Sequence, residues 1–405
     1  MRADEMQQIV ADFGAIGATA SGGVTRPGLT DLERAALERA RAWMVHLGMD
    51  AAYDHVGNLR GTWAGARPDA APVLTGSHLD SVVEGGRYDG AAGVLCALAA
   101  VETLRAQGHT PERPLGVCVF TSEEGSRFGP GLLGSTALVR GLTADQLGAS
   151  GDDGVTVARA IAEAGGDPGA AAAPALAPGA VHAFIEVHIE QASRLEEAGA
   201  PVGIVSGIAG PLFARGVVTG VADHAGATPM GQRADALCGL AELVLAVERT
   251  ASAADTTVAT VGSARAHPGQ ANIIPGRAEF SLDLRDVDLS ARDHAEAEIR
   301  AVLDELTRRR GLHGELEVIQ REPPVAVDPQ VMAALETAVT GAGLDLVRVP
   351  SGAAHDAMIM ADIAPIGMLF VRCRGGLSHC PQEYASPEDL VAASDVLARA
   401  LAQLT

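Results

Sequence analysis

Three segments of this 405-residue chain, Pro72–Thr75, Leu115–Thr121 and Val181–Val187, are nearly unbroken apolar runs. A strand with one wet face alternates apolar and polar side chains, so such runs fit strands covered on both faces. Helical apolar spacing accompanies them near Ala91–Arg105 and Val155–Ala164, and Gly57–Trp63 reads as a further extended segment. Strands alternating with helices imply an α/β layer with a helix-flanked sheet. Ahead of them, Thr30 followed by Glu33 reads as a capping box. It would open a helix to about Leu47, with Leu32, Ala36, Ala40, Trp43 and Leu47 facing inward. Gly165–Gly179, rich in Gly, Ala and Pro, reads as an exposed loop.

The pattern changes near Phe213. A strand at Phe213–Gly220 leads to a helix at Gln232–Arg249 with Leu237, Leu240, Val244 and Val247 on one stripe. Strands follow at Thr257–Gly262 and Arg277–Arg285, and in the second every other side chain is apolar, so one face is wet. Ser290 would cap a helix to about Arg309, and Glu315–Gln320 is the last strand of the set. The order β-α-β-β-α-β is the ferredoxin-like pattern. After Pro323 and Pro324 the α/β style resumes, with a strand near Ile366–Val371 and a closing helix started by Ser386 and Pro387. We therefore expect an α/β domain of residues 1–208 and 323–405 with a helix-flanked mixed sheet. A ferredoxin-like α+β domain at 209–322 would be inserted into it, with hinges near Gly207–Gly210 and Glu322–Pro324.

A formal charge of −21 argues against nucleic acid or an anionic membrane as partner. All 30 cationic side chains are arginine, which carries no mechanistic weight here. Five dispersed cysteines with no CxxC pair fit reduced thiols, and Asp4 and Glu5 precede any apolar stretch, unlike a signal peptide. Ala91–Val101 is too short an apolar run to span a bilayer. The expectation is a cytoplasmic protein with a small-molecule substrate.

Metal-suited polar residues gather where the apolar strands end. They are His78 and Asp80 in TGSHLD, Asp89 in GGRYDG, Glu123 and Glu124 in TSEEG, His188 and Gln191 in HIEQ, and His379 in GLSH. In extended backbone His78 and Asp80 share a face, so the carboxylate can orient the imidazole. Two adjacent glutamates at a strand end point different ways and can take different tasks. Each piece alone is weak, and His46, His55, His109, His182, His267, His294 and His313 have no such context. GPGLLG at Gly129–Gly134 mimics a dinucleotide fingerprint without its strand–turn–helix setting, and no GxSxG elbow occurs. Together, imidazoles and carboxylates at strand ends suit two divalent metal ions, zinc first, with manganese or cobalt as alternatives.

The ordered motifs TGSHLDSVVEGGRYDGAAGVL, TSEEGSRFG, HIEQ, GIAG, HAGATPMGQRADAL, NIIPGRAEFSLDLRD, SGAAHDAM and GLSHCPQEY cover nearly the whole chain. In them the sequence resembles the di-zinc aminoacylase/carboxypeptidase-like metallohydrolases, in the amidase, hydantoinase and carbamoylase branch. The resemblance implies a catalytic domain with an inserted lid and dimerisation domain. It implies His78 and His188 on one metal, Glu124 and His379 on the other, and Asp89 bridging both. Asp80 would orient His78, and Glu123 would be the general base. His224 would reach the active site of a partner subunit and stabilise the oxyanion. Gln191, Asn272 and Arg285 would hold the substrate, with His355 nearby. For Arg285 the residues alone also allow a surface pair with Asp283 or Asp286.

The implied activity is hydrolysis of the C–N bond of an N-carbamoyl-L-amino acid or similar carboxylate-bearing amide. Allantoate or ureidoglycolate hydrolysis, an N-acyl-amino-acid amidase or dipeptidase, and a non-catalytic binding protein stand as alternatives. Asp223 takes the place of a usual asparagine, Ala192 and Ala354 of usual glycines, and Ala227 of a usual threonine. These departures bear on substrate choice more than on the metal ligands.

Overall fold

The computed structural model describes residues 1–129 and 131–405, and the chain divides into two compact units. The first comprises Met1–Ser206, Val327–Val349 and His355–Thr405; the second comprises Gly207–Ala326 with Pro350–Ala354. Pro130, inside the GPGLLG run, lies outside the described residues. The fold is mixed α/β.

The first unit is built on a mixed sheet. Its strands run in spatial order Asp50–Tyr53, Leu59–Trp63, Leu115–Phe120, Val73–His78, Ala183–Ile189, Ile366–Val371 and Val202–Ile208. The four from Leu115–Phe120 to Ile366–Val371 are mutually parallel, and those on either side pair antiparallel. Every residue of those four strands is buried, which is why they read as unbroken apolar runs. The helix Ala91–Ala106 packs on them, buried throughout from Ala91 to Val101. The closing helix Pro387–Leu404 packs on that one, capped by Ser386 Oγ accepting from Asp389 N at 3.0 Å.

Several expectations need correction. Helix Ala3–Gly14, for which the sequence reading has no element, buries Met6, Val10 and Phe13. Its stripe is too short to tell from a loop by pattern alone. Helix Asp31–His46 buries Glu33, Ala36, Leu37, Ala40 and Met44, while Leu32 is 42% exposed. The buried face is rotated because Glu33 points inward. Thr30 Oγ1 accepts from Glu33 N, but the Glu33 carboxylate goes to Leu29 N rather than back to Thr30 N, so the capping box is incomplete. The 165–179 segment holds a short 3-10 turn, Ala170–Ala172, with Ala171 buried.

In the second unit, Gly210–Thr219 lies between Arg277–Asp286 and His313–Arg321, antiparallel to both. Ala264–His267 and Val258–Thr260 pair with the outer side of Arg277–Asp286. Helices Ala236–Ser252 and Leu289–Arg310 pack on one face. Leu240, Leu243, Val247, Ile299, Leu303 and Leu306 meet Ala278, Phe280, Leu282 and Leu284 there. Leu237, expected on the buried stripe, is 40% exposed, and Leu243 takes its place. The second helix is capped by Asp288, not Ser290: its carboxylate accepts from Ser290 N at 2.7 Å and Ala291 N at 3.2 Å.

Arg292, 1% exposed, donates to the carbonyls of Gly210, at 3.1 Å, and Glu322. Those residues lie in the two chain segments expected to be hinges. Arg292→Met removes the guanidinium donor from both carbonyls. It is expected to cost about 2–4 kcal/mol of stability, read by urea unfolding; an unchanged midpoint would contradict the assignment.

Candidate metal centre

The parallel strands deliver their C-terminal ends to one side of the sheet, where open α/β sheets place their sites. His78 ends Val73–His78, Glu123 and Glu124 follow Leu115–Phe120, and His188 is the penultimate residue of Ala183–Ile189. His379 follows Ile366–Val371 after a short 3-10 turn, and Asp89 lies just before helix Ala91–Ala106.

The two oxygens of Asp89 face different partners. Oδ1 is 3.1 Å from His188 Nε2 and 3.6 Å from His78 Nε2. Oδ2 is 3.4 Å from His379 Nε2, which is itself 3.5 Å from Glu124 Oε2. Two groups of ligand atoms result, His78–Asp89–His188 and Asp89–Glu124–His379, each with its atoms within 4.8 Å of one another. Glu123 Oε2 lies 3.6 Å from His78 Nε2.

This arrangement is short of positive charge. Burial raises the pKa of Glu123 well above the usual carboxylate range, a rise that His78 opposes and Glu124 and Asp80 reinforce. Burial and then the charge of Asp89 push Glu124 up to about 7. Burial disfavours the charged form of Asp89, yet His188, His379 and His78 together hold its pKa well below the usual range. Burial likewise opposes protonation of His78, but Glu123, Asp80 and Asp89 outweigh it and raise its pKa. The hydrogen bond to Asp89 raises His379 to about 9. Two glutamates pushed up beside imidazoles drawn toward protonation fit a site for a cation. Glu124 Oε1 is buried with no hydrogen-bond partner, as suits an oxygen meant for one.

The surroundings fix these side chains. His78 Nδ1 lies 3.2 Å from the Asp80 carbonyl oxygen and 3.4 Å from Asp80 Oδ1. The Asp80 carboxylate accepts from Glu123 N at 3.0 Å and Glu124 N at 3.1 Å, so it serves the glutamate turn as well as the imidazole. Sequence reasoning passed over Glu383 and Ser378. Glu383 Oε1 accepts from Tyr88 N and Asp89 N at 2.8 and 3.0 Å, and Ser378 Oγ donates to Asp89 Oδ2 at 2.7 Å. Both stand in the GLSHCPQEY motif, the one signal that could have found them. Gln191 also reaches the centre, Nε2 donating to Asp89 Oδ2 at 2.8 Å. His355 is fully buried, its ring 4.5 Å from that of His188, and burial with the charge of His188 keeps its pKa well below the usual value.

His224, Asn272 and Arg285 belong to the second unit. Asp223–His224 pairs with Ile273–Ile274, and Ala225 N donates to the Asn272 carbonyl at 3.0 Å, so His224 and Asn272 are neighbours. His224 Nδ1 accepts from Gly226 N and Ala227 N at 3.1 and 3.0 Å, which leaves the hydrogen on Nε2. Asp223 accepts from His224 N at 2.8 Å, a local bond that the usual asparagine would also make. Arg285 Nε and Nη2 bind the two oxygens of Asp283 at 2.8 and 2.9 Å, and Nη1 donates to the Gly352 carbonyl at 2.8 Å. The surface pair weighed for Arg285 is therefore present.

A helix-flanked sheet with imidazole–carboxylate groups at its parallel strand ends defines an α/β protein with two residue groups that could hold a metal ion. The chain belongs to Peptidase family M20/M25/M40, whose model matches residues 74–403. It is 40% identical to an N-carbamoyl-L-amino acid amidohydrolase of Geobacillus stearothermophilus over 404 residues, covering 100% of this chain and 99% of the relative. It is 36% identical to a ureidoglycolate hydrolase of Oryza sativa subsp. japonica over 415 residues, 99% of this chain and 84% of the relative. The crystal structure of an amidase of the hydantoinase/carbamoylase family from Burkholderia multivorans superposes with a TM-score of 0.92 at 36% identity, covering 100% of this chain and 98% of that one.

One glycine sets the space at the centre. A Cβ on Gly90 would lie 2.3–2.4 Å from three atoms of the His78 ring, on a backbone with φ +61°. Gly90→Ala is expected to lose at least about 1–2 kcal/mol from the left-handed backbone alone, with the displaced imidazole adding to it. Denaturant unfolding reads this loss, and a variant as stable as the parent would contradict the geometry.

Proposed function

We propose that this chain is a metal-dependent amidohydrolase. It cleaves the linear ureido C–N bond of an N-carbamoyl-L-amino acid, or of a similar carboxylate-bearing substrate, giving the amino acid, ammonia and carbon dioxide. The observation that carries the reading is the Asp89 carboxylate shared by two ligand groups, with Glu123 beside them. His78 and His188 would hold one divalent ion and Glu124 and His379 the other, zinc by the ligand types, with manganese or cobalt also compatible. When bound, such ions would lower the pKa of a water and polarise the scissile carbonyl.

The chain's own groups supply the rest. Glu123, its Oε2 3.6 Å from His78 Nε2, would as a carboxylate take the proton of the attacking water and deliver it to the leaving nitrogen. Asp80 orients His78 and fixes the backbone of the two glutamates. Gln191 and His355 line the centre. We assign His224 the donation to the oxyanion, its Nε2–H aimed by the bonds at Nδ1, supplied from a second copy of the chain. Asn272 and Arg285 would bind the substrate carboxylate, Arg285 exchanging Asp283 for it. The second unit would then act as a ferredoxin-like lid and dimerisation domain. Its five-stranded sheet, in which Val258–Thr260 and Ala264–His267 together take the place of the second ferredoxin-like strand, and the exposed Val221, Met230, Leu237 and Leu245 support that reading. Five free cysteines fit a cytoplasmic setting, and no helix of the described residues is long and apolar enough to cross a membrane.

The ureidoglycolate hydrolase relative favours a second reading, hydrolysis of ureidoglycolate or allantoate by the same groups. Measuring kcat/KM side by side on N-carbamoyl-L-amino acids, allantoate, ureidoglycolate and N-acyl amino acids decides between them. Chelation is expected to abolish turnover and zinc to restore it. Glu123→Gln is expected to lower kcat by roughly 10²–10⁴-fold with metal still bound. Turnover that survives chelation, or that Glu123→Gln leaves intact, would sink the proposal.

A further inference from the structure

The segment Thr121–Glu124 is held on both edges. Its four successive amide N–H groups each meet a side-chain oxygen. Thr121 N donates to Asn58 Oδ1 at 2.9 Å, Ser122 N to Glu33 Oε1 at 3.0 Å, Glu123 N to Asp80 Oδ1 at 3.0 Å, and Glu124 N to Asp80 Oδ2 at 3.1 Å. On the other edge the carbonyls of Thr121, Ser122 and Glu123 accept from Gly134, Leu133 and Leu132 at 3.0, 3.2 and 2.7 Å. The three residues supplying the side-chain oxygens are all buried.

Ser122 explains the need for so many restraints. Its φ is +53°, a left-handed backbone that an L side chain adopts at a cost and keeps only where the surroundings over-determine it. That turn re-aims the chain so that Glu123 and Glu124 face His78 and His379 respectively, rather than opposite sides of a strand. Gly28 leaves the room: a Cβ there would stand 2.5 Å from Ser122 Cα.

Glu33 lies in the first turn of helix Asp31–His46, far from this segment in sequence. A glutamate that only capped its helix would need one bond, to the amide of Thr30. Glu33 omits that bond. Its Oε2 accepts from Leu29 N at 2.6 Å and Thr121 Oγ1 at 2.7 Å, and its Oε1 accepts from Ser122 N at 3.0 Å. We propose that Glu33 is a positioning residue for the Glu123–Glu124 pair, holding Ser122 in the left-handed turn that separates the base from the ligand. The inference deepens the proposed function and rests on its reading of those two glutamates.

Because the two ligand groups share Asp89 but only one contains Glu124, a fault in the turn separates them. In Glu33→Ala, zinc affinity at Asp89–Glu124–His379 is expected to weaken roughly 10-fold or more, while the His78–Asp89–His188 group is unchanged. Competition against a chromophoric chelator measures both steps. On the best N-carbamoyl amino acid, kcat is expected to fall about 10–100-fold with KM little altered. Thr30→Ala, which removes the cap of the same helix without touching the turn, is the control; it should lower Tm and leave both zinc steps and kcat alone. If Glu33→Ala does not fold, Glu33→Gln, which keeps one acceptor oxygen, should show the same selective loss in smaller measure. Unchanged zinc steps and kcat in the Glu33 variants would overturn the proposal, as would an equal weakening of both zinc steps. A wild type that binds zinc in two steps but hydrolyses no ureido compound would end the proposed function, yet the zinc steps would still decide the role of Glu33.

Discussion

A single carboxylate organises the first unit. Asp89 offers one oxygen to His78 and His188 and the other to His379, with Glu124 beside the latter. An ionised carboxylate at a buried position is costly unless opposite charge surrounds it. Here three imidazoles face it, at the end of Val73–His78, within Ala183–Ile189 and in the loop after Ile366–Val371. Glu383 and Ser378 fix Asp89 from behind, through its own amide and its Oδ2. The centre is therefore a consequence of four strands ending side by side, and removing any one strand end would remove a ligand atom.

The same economy appears in the glutamate turn. Asp80 lies against His78 and holds the amides of Glu123 and Glu124, coupling the orientation of an imidazole to that of the two glutamates. Glu33 and Asn58 extend this restraint to Ser122 and Thr121. Left-handed backbones recur around the centre, at Ser122, Gln191 and His379. Such conformations persist where surrounding bonds over-determine them, and they cluster where side chains must be aimed.

Much of this was legible in the sequence, and the legible parts share a reason. Buried parallel strands have no wet face, so their apolar runs stand out, and polar residues at their ends stand out in turn. The alternation in Arg277–Arg285 and the Ser386–Pro387 cap are local signals that tertiary context did not override. The misread elements depended on distant partners. Leu32 looked like a core residue until Glu33 claimed the inward face, and Glu33 did so for Thr121 and Ser122, far along the chain. Glu383 was passed over within GLSHCPQEY, because nothing local reveals the amides of Tyr88 and Asp89. For Arg285 the residues alone pointed to a surface pair with Asp283 or Asp286 and the resemblance to a substrate role; the pair with Asp283 is the one observed.

The central claim is that one aspartate lies between two cations. Crystals of the zinc-reconstituted chain, measured at the zinc absorption edge, test it directly. The account predicts two anomalous peaks about 3.5–4 Å apart, one on each side of the Asp89 carboxylate. A lone peak away from Asp89, or none in the presence of saturating zinc, would contradict it.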